Sequence, residues 1–140
     1  MDVIRRNTDY ALRMTVELAD RQAASPVSTK NLADRQNIPY HLACKLLQRL
    51  NKAHIVKSTM GPEGGFTLSK NPSKITVRQV VEAVQGPVRL CRCLFEKGFC
   101  ALSRRCPINP QLALLQKNIN TFLSDLTLKQ LSQIHKRSAK

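Results

Sequence analysis

The stretch STKNLADRQNIPYHLACKLLQRL, residues 28–50, decides the fold, because it describes two helices joined by a tight turn. Ser28 or Thr29 caps the first helix, and Leu32 and Ala33 face inward from it. Asn37 tolerates a left-handed backbone and stands where the chain must turn. Pro39 takes an early position of the second helix, where its missing N–H costs little. Leu42, Ala43, Leu46, Leu47 and Leu50 recur at helical spacing as the inner face. The small Ala33 lets the helices cross closely, which leaves Tyr40, His41, Cys44 and Lys45 on the outer, groove-facing side. An ordinary helical hairpin shares this pattern, so its neighbours must decide between the two.

Downstream, IVKSTM at 55–60 and FTLSK at 66–70 favour strand, with the glycine-rich loop GPEGG between them. A basic hairpin directly after a helix-turn-helix is the winged-helix arrangement, in which the wing reaches DNA backbone or minor groove. The candidate DNA-binding residues are therefore Thr29, Lys30, Pro39, Tyr40, His41, Cys44 and Lys45, with Ser58, Gly61, Gly64 and Gly65 on the wing. His54 is expected to cap the end of the second helix.

Upstream, Ala11, Met14, Thr15 and Leu18 predict an amphipathic helix over 9–22, with Asp9 at its start facing the helix dipole. Residues 76–85 open with a capping box, Thr76 and Gln79, carry Val77, Val80, Val81 and Val84 inward, and stop at Gly86-Pro87. Asn109 is expected to cap a long helix started by Pro110. Leu112, Leu115, Ile119, Phe122 and Leu126 form a seam along it that wants another helix, so a homodimer is expected. A second capping box, Thr127 and Gln130, begins a short last helix. The expected fold is mainly α with a small β-wing. A winged helix-turn-helix domain over 1–86 leads into a cysteine-rich loop at 87–108, followed by a dimerisation helix and short last helix over 109–140.

A formal charge of +14 over 140 residues implies a polyanionic partner, with double-stranded DNA ahead of an anionic membrane. The basic residues are spread through the chain instead of forming a tail, and no apolar run is long enough to span a bilayer, so no membrane partner is expected. MDVIRRNTDY is followed by no apolar signal region, which points to the cytoplasm. In that reducing setting an odd number of cysteines, five, argues against a disulfide framework and for metal binding or redox chemistry.

Four of the five lie in RLCRCLFEKGFCALSRRC, residues 89–106, among five Lys or Arg and one Glu. Cationic neighbours hold thiols as thiolates, the ligands that a soft metal or an iron-sulfur cluster needs, and they offset the charge those ligands bring. The alternatives are a thiol-based redox switch at Cys91 and Cys93, and a structural zinc site, whose usual two-residue cysteine spacing is missing. An enzyme is not expected: His41, His54 and His135 are scattered, and neither a Ser-His-Asp set nor a phosphate loop is present.

In combination, TDYALR, NLADRQNIPYHLACKLLQRL, GPEGGFTLSK, ITVRQVVEAVQG, three spaced cysteines and LTLKQL resemble the Rrf-two family of bacterial winged-helix regulators, over nearly the whole chain. The resemblance implies a homodimeric transcription regulator, acting as a repressor on an inverted-repeat operator, whose long helix forms the dimer interface. It implies an iron-sulfur cluster, four-iron ahead of two-iron, held by Cys93, Cys100 and Cys106 and sensing nitric oxide, redox or iron status. The first gap of that trio is one residue longer than the family pattern, which leaves Cys91 as an alternative first ligand. The position where IscR-like members carry a ligating His is Asn109, whereas Asp9 matches the first-helix Asp that NsrR-like members use, supplied by the partner subunit. At Cys44 the resemblance places a polar DNA-reading residue.

Overall fold

The computed structural model describes residues 2–21 and 25–140. Within them the chain runs through α1 (Arg6–Asp20), α2 (Thr29–Gln36), α3 (Tyr40–Lys52), β1 (Val56–Thr59), β2 (Gly65–Leu68), α4 (Val77–Gln85), α5 (Asn109–Asp125) and α6 (Leu128–Ser138). The order and type of these elements are those of the expected winged helix-turn-helix with helices following it.

The α2–α3 pair forms for local reasons. Ser28 Oγ accepts the Asn31 N–H at 3.2 Å and so caps α2. Asn37 is left-handed, φ 52° and ψ 51°, and the next N–H, from Ile38, donates to the Ala33 carbonyl at 2.8 Å, closing the helix. Pro39 stands one place earlier than expected, just before α3, where its carbonyl accepts the Leu42 and Ala43 N–H groups at 3.0 Å each. Leu32, Ala33, Ala43, Leu46, Leu47 and Leu50 are all buried, and each leucine placed there contributes roughly 1.5–3 kcal/mol. The last turn of α3 ends on a left-handed His54, φ 58°. The cap is made by backbone: His54 N–H donates to Asn51, and Ile55 N–H to Leu50, at 3.0 Å each.

The wing is a two-stranded antiparallel hairpin in register Val56↔Leu68 to Thr59↔Gly65. Val27 extends this ladder from the approach to α2, exchanging backbone hydrogen bonds with Phe66 at 3.0 and 2.8 Å. Glycine is required at two wing positions because backbone lies against them. A Cβ at Gly65 would stand 2.3 Å from the Val27 carbonyl oxygen, and one at Gly64 2.2 Å from that of Thr59.

Two apolar clusters hold the rest. The larger joins Ala11, Met14 and Leu18 of α1 to the inner faces of α2 and α3, to Val80 and Val84 of α4 and to Leu128 of α6. The smaller sets Val77, Val81 and Val88 against Ile119, Leu123 and Leu126. Both expected capping boxes are formed, and the two capping threonines, Thr76 and Thr127, lie side by side. Val77 N–H donates to Leu126 at 2.8 Å and Leu128 N–H to Ile75 at 2.9 Å, which pins the α5–α6 corner to the start of α4.

Three expectations need correction. The first helix begins at Arg6, not at Asp9, and Gln22, its expected last residue, lies outside the described residues. Its early start follows from the buried Thr8, whose hydroxyl donates to Gln85 Oε1 at 2.7 Å, while the Arg5 N–H donates to the same oxygen at 3.0 Å. Asn109 is the first residue of α5 and not its cap, since no side chain caps that helix and Ile108 precedes it. The α5 seam is also split. Ile119 and Leu126 pack against α4, whereas Leu115 and Phe122 are exposed, because α4 is about half the length of α5 and cannot cover it.

Candidate functional site

Two surfaces carry the chemistry. On the first, α3 presents Tyr40, 59% exposed, with His41 and Lys45 also exposed and Cys44 half-buried. Tyr40 and Cys44 are one turn apart, and the phenol pKa is raised by its hydrogen bond with Cys44, then by the charge of that thiol and by partial burial. Thr29 is half-buried and Lys30 exposed at the start of α2, beside the strand pairing of Val27 with Phe66. Pro39 is exposed at the turn. Ser58 projects from β1 opposite Phe66, and Gly61, φ 110°, sits at the hairpin tip with open space around it. Gly64 and Gly65 are pressed against backbone, so their glycine character belongs to the wing's own turn. Among the described residues, Lys30, Lys45, Lys52 and Lys57 enter no ion pair, which leaves their charge for an external anion.

The second surface is the loop from Gly86 to Ile108. Its base is fastened by two glutamines. Gln85, the last residue of α4, holds Thr8 and Arg5 through Oε1 and donates from Nε2 to the Val3 carbonyl at 2.9 Å. Gln116, buried on α5, accepts the Leu90 N–H and donates to the Val88 carbonyl, both at 2.9 Å. Residues 88–90 are thus bound to α5 on both backbone polarities immediately before Cys91.

Beyond that base the loop combines local contacts with an approach of its 3-10 turn to α5. Arg92–Leu94 make one tight 3-10 turn, and Gly98 takes φ 79°. Cys91, Cys93, Cys100 and Cys106 are all half-buried free thiols, with Cys91 Sγ 3.3 Å from Cys93 Sγ. Two of the loop's five cations are engaged by groups other than the thiols. Arg89 stacks over Phe95 at 5.1 Å, and Arg92 stacks over Phe99 at 4.4 Å while pairing with Glu96 at 2.9 Å. With the guanidiniums so engaged, the Cys93 pKa is raised. Its hydrogen bond with Cys91 is the largest cause, followed by partial burial and the charges of Cys91, Cys100 and Cys106.

The donor set is soft sulfur, which fits an iron-sulfur cluster, yet among the described residues no three His, Cys, Asp or Glu side chains are gathered closely enough to hold a metal ion. Asp9 lies on α1, 57% exposed at its side chain, with Oδ2 3.3 Å from Arg13 Nε. That guanidinium is held by other contacts, donating to the Gln36 carbonyl at 3.0 Å and stacking over Tyr10 at 4.9 Å.

The family model described as "Rrf2: Iron-dependent Transcriptional regulator" matches residues 4–134, which takes in both surfaces. The chain belongs to the Rrf2 family. It is 33% identical over 122 residues to the HTH-type transcriptional regulator IscR of Yersinia pseudotuberculosis, covering 87% of this chain and 74% of the relative. Two solved structures share the fold. CymR, the global cysteine regulator of B. subtilis, superposes with a TM-score of 0.81 at 24% identity, over 96% of this chain and 98% of that one. IscR of T. potens superposes with a TM-score of 0.78 at 22% identity, over 98% and 90%. This Rrf2 chain is accordingly a transcriptional regulator and not an enzyme. No helix among the described residues is long and apolar enough to cross a membrane.

Sequence reasoning missed three residues of these surfaces. Met60, 92% exposed beside Gly61, is the most exposed large apolar side chain of the wing. Its signal was an apolar residue abutting a Gly-Pro turn. Gln85 and Gln116 gave no signal, since a glutamine amide that binds backbone far away in sequence has no local pattern.

Proposed function

We propose that this regulator binds an inverted-repeat operator in double-stranded DNA as a homodimer, acts as a repressor, and is controlled by an iron-sulfur cluster held in the cysteine loop. The observation that supports control from the loop is its attachment. Four thiols follow a segment that Gln116 ties to α5, and that segment leaves α4 at Gln85, which is tied to the start of α1. α1 in turn packs on α2 and α3 through Ala11, Met14 and Leu18.

DNA contact falls to the outer face of α3, with Lys45 and His41 toward phosphate or base edges, and to the wing, where Ser58, Gly61 and the exposed Met60 meet backbone or minor groove. The apolar side chains left open on α5, Leu114, Leu115 and Phe122, give a second copy its contact. Two recognition helices so joined read half-sites about one helical turn apart.

Cys93, Cys100 and Cys106 supply three ligands of the cluster, and the fourth position falls to Asp9 or to Cys91. When bound, the cluster supplies iron that is open to nitric oxide and to one-electron redox change. A change in the loop then acts on two fastenings at once. Gln116 passes it to the dimer helix and Gln85 to α1, shifting the two recognition helices relative to each other.

The test is anaerobic binding of the full chain to a duplex selected from a random-sequence pool, titrated against salt and nitric oxide. Affinity should fall steeply with salt and at least tenfold with nitric oxide. A colourless, iron-free protein indifferent to nitric oxide overturns the cluster reading.

The 3.3 Å separation of Cys91 and Cys93 favours a second reading, a thiol switch without a cluster. Here two thiols give up two protons and two electrons to hydrogen peroxide, forming one disulfide and two waters. Cys93→Ser would then abolish the peroxide response, with iron irrelevant throughout.

A further inference from the structure

Three cysteines and Asp9 would leave Cys91 without a part, although it is the sulfur nearest to Cys93. We propose that Cys91 completes an all-thiolate ligand set with Cys93, Cys100 and Cys106, so that the cluster is held within one protomer and Asp9 stays outside it. This rests on the cluster reading above and assigns its fourth ligand.

The distance between the paired sulfurs bears on the kind of cluster. Two thiolates on one tetrahedral metal, each at ~2.3 Å from it, stand about 3.8 Å apart. Cys91 and Cys93 are at 3.3 Å already, so a small opening of one side-chain torsion fits them to a single iron. Sulfurs on two corners of a four-iron cube stand much farther apart than that. Cys100 and Cys106 then serve a second iron, giving two thiolates per iron, the ligation of a two-iron, two-sulfide cluster. This departs from the four-iron expectation.

Two further observations agree. Cys100 and Cys106 lie on the same loop and are half-buried free thiols like Cys91 and Cys93. Between the two pairs stands Gly98, φ 79°, a position where the backbone bends without side-chain strain. Asp9 offers a harder oxygen, which binds iron less tightly than thiolate, and it already faces Arg13 on its own helix.

The test is anaerobic reconstitution of the full chain with ferrous iron and sulfide, in the wild type and in Cys91→Ser, Cys93→Ser and Asp9→Ala. Iron and sulfide are counted, and the visible spectrum and the dithionite-reduced paramagnetic resonance are recorded. The wild type should hold about two irons and two sulfides per protomer. Asp9→Ala should match it in content and spectrum. Cys91→Ser should lose most of its iron, or keep it with visibly shifted charge-transfer bands, as oxygen replaces sulfur, and Cys93→Ser should behave alike. Far-ultraviolet circular dichroism of each variant checks that the helices are intact. Loss of the cluster in Asp9→Ala with retention in Cys91→Ser overturns the assignment and restores aspartate ligation. About four irons per protomer also overturns it. A wild type that takes up no iron overturns the cluster reading itself.

Discussion

The α2–α3 pair and the cysteine loop are the two short stretches to which the proposed function assigns DNA reading and sensing, and they are held in opposite ways. In the pair Leu32, Ala33, Ala43, Leu46, Leu47 and Leu50 are buried in the main apolar cluster, Leu42 packs half-buried against it, and each helix boundary is closed by hydrogen bonds. In the loop no thiol is buried, and Phe95, Phe99, Leu102 and Ile108 are between 44% and 66% exposed. Among the described residues, its deep attachments are at its base, through Val88 and Gln116. A part that reads DNA must present its side chains at fixed positions, and close packing supplies that rigidity. A part that responds to a ligand must have two arrangements of similar energy, which a loop free of the core provides. On the proposed function, the difference divides the molecule into a rigid reader and a responsive loop, joined through Val88 and a few hydrogen bonds.

Stability measurements can break this division. Leu47→Ala should destabilise the whole chain by about 2–5 kcal/mol in urea unfolding, because a fully buried leucine leaves a cavity among packed neighbours. A smaller loss, near that of a surface residue, would mean that the reader is looser than its burial implies. Gln116→Ala should cost about 1–3 kcal/mol, since it strands the Leu90 N–H and the Val88 carbonyl. Its signature is local: amide exchange at Leu90 should quicken many-fold while the amides of α3 keep their protection. Uniform quickening would show that the loop base is part of the core.

Much of the reader was legible in the sequence because its determinants are local. Ser28, Asn37 and the spacing of four leucines in α3 place both helices and the turn without reference to the rest of the chain. The two capping boxes at Thr76 and Thr127 are legible for the same reason. What failed was set at long range. α1 starts at Arg6 because an amide some eighty residues on meets Thr8 and Arg5. The α5 seam divides because α4 is too short to cover it. In the loop, composition shows four thiols among cations, but counting cations does not reveal that Phe95, Phe99 and Glu96 engage Arg89 and Arg92.

The link between the two regions can be sharpened at Gln85. Gln85→Ala removes the acceptor of the buried Thr8 hydroxyl and of the Arg5 N–H, at a cost of about 1–2 kcal/mol. If α1 carries the signal, the variant should bind operator DNA nearly as the wild type does but lose most of its response to nitric oxide. Loss of DNA binding with the response intact would place Gln85 in the reader instead.

The smallest effect should come from the loop itself. Phe99 is half exposed, and the Arg92 guanidinium stacks on it at 4.4 Å, a contact between solvent-facing groups. Phe99→Ala should therefore change global stability by about 1 kcal/mol or less in the metal-free chain. Arg92 stays paired with Glu96, so the 3-10 turn that carries Cys93 keeps one of its two side-chain supports. The same substitution should matter more once a cluster is bound, because opening the ring's side of the loop admits water and oxidants to the ligating sulfurs. The measurement is the rate at which visible absorbance bleaches in air, expected to rise several-fold with the urea midpoint of the metal-free protein unmoved. Equal shifts in both, or a stability loss approaching that of Leu47→Ala, would show the loop to be a second core whose order does not depend on what it binds.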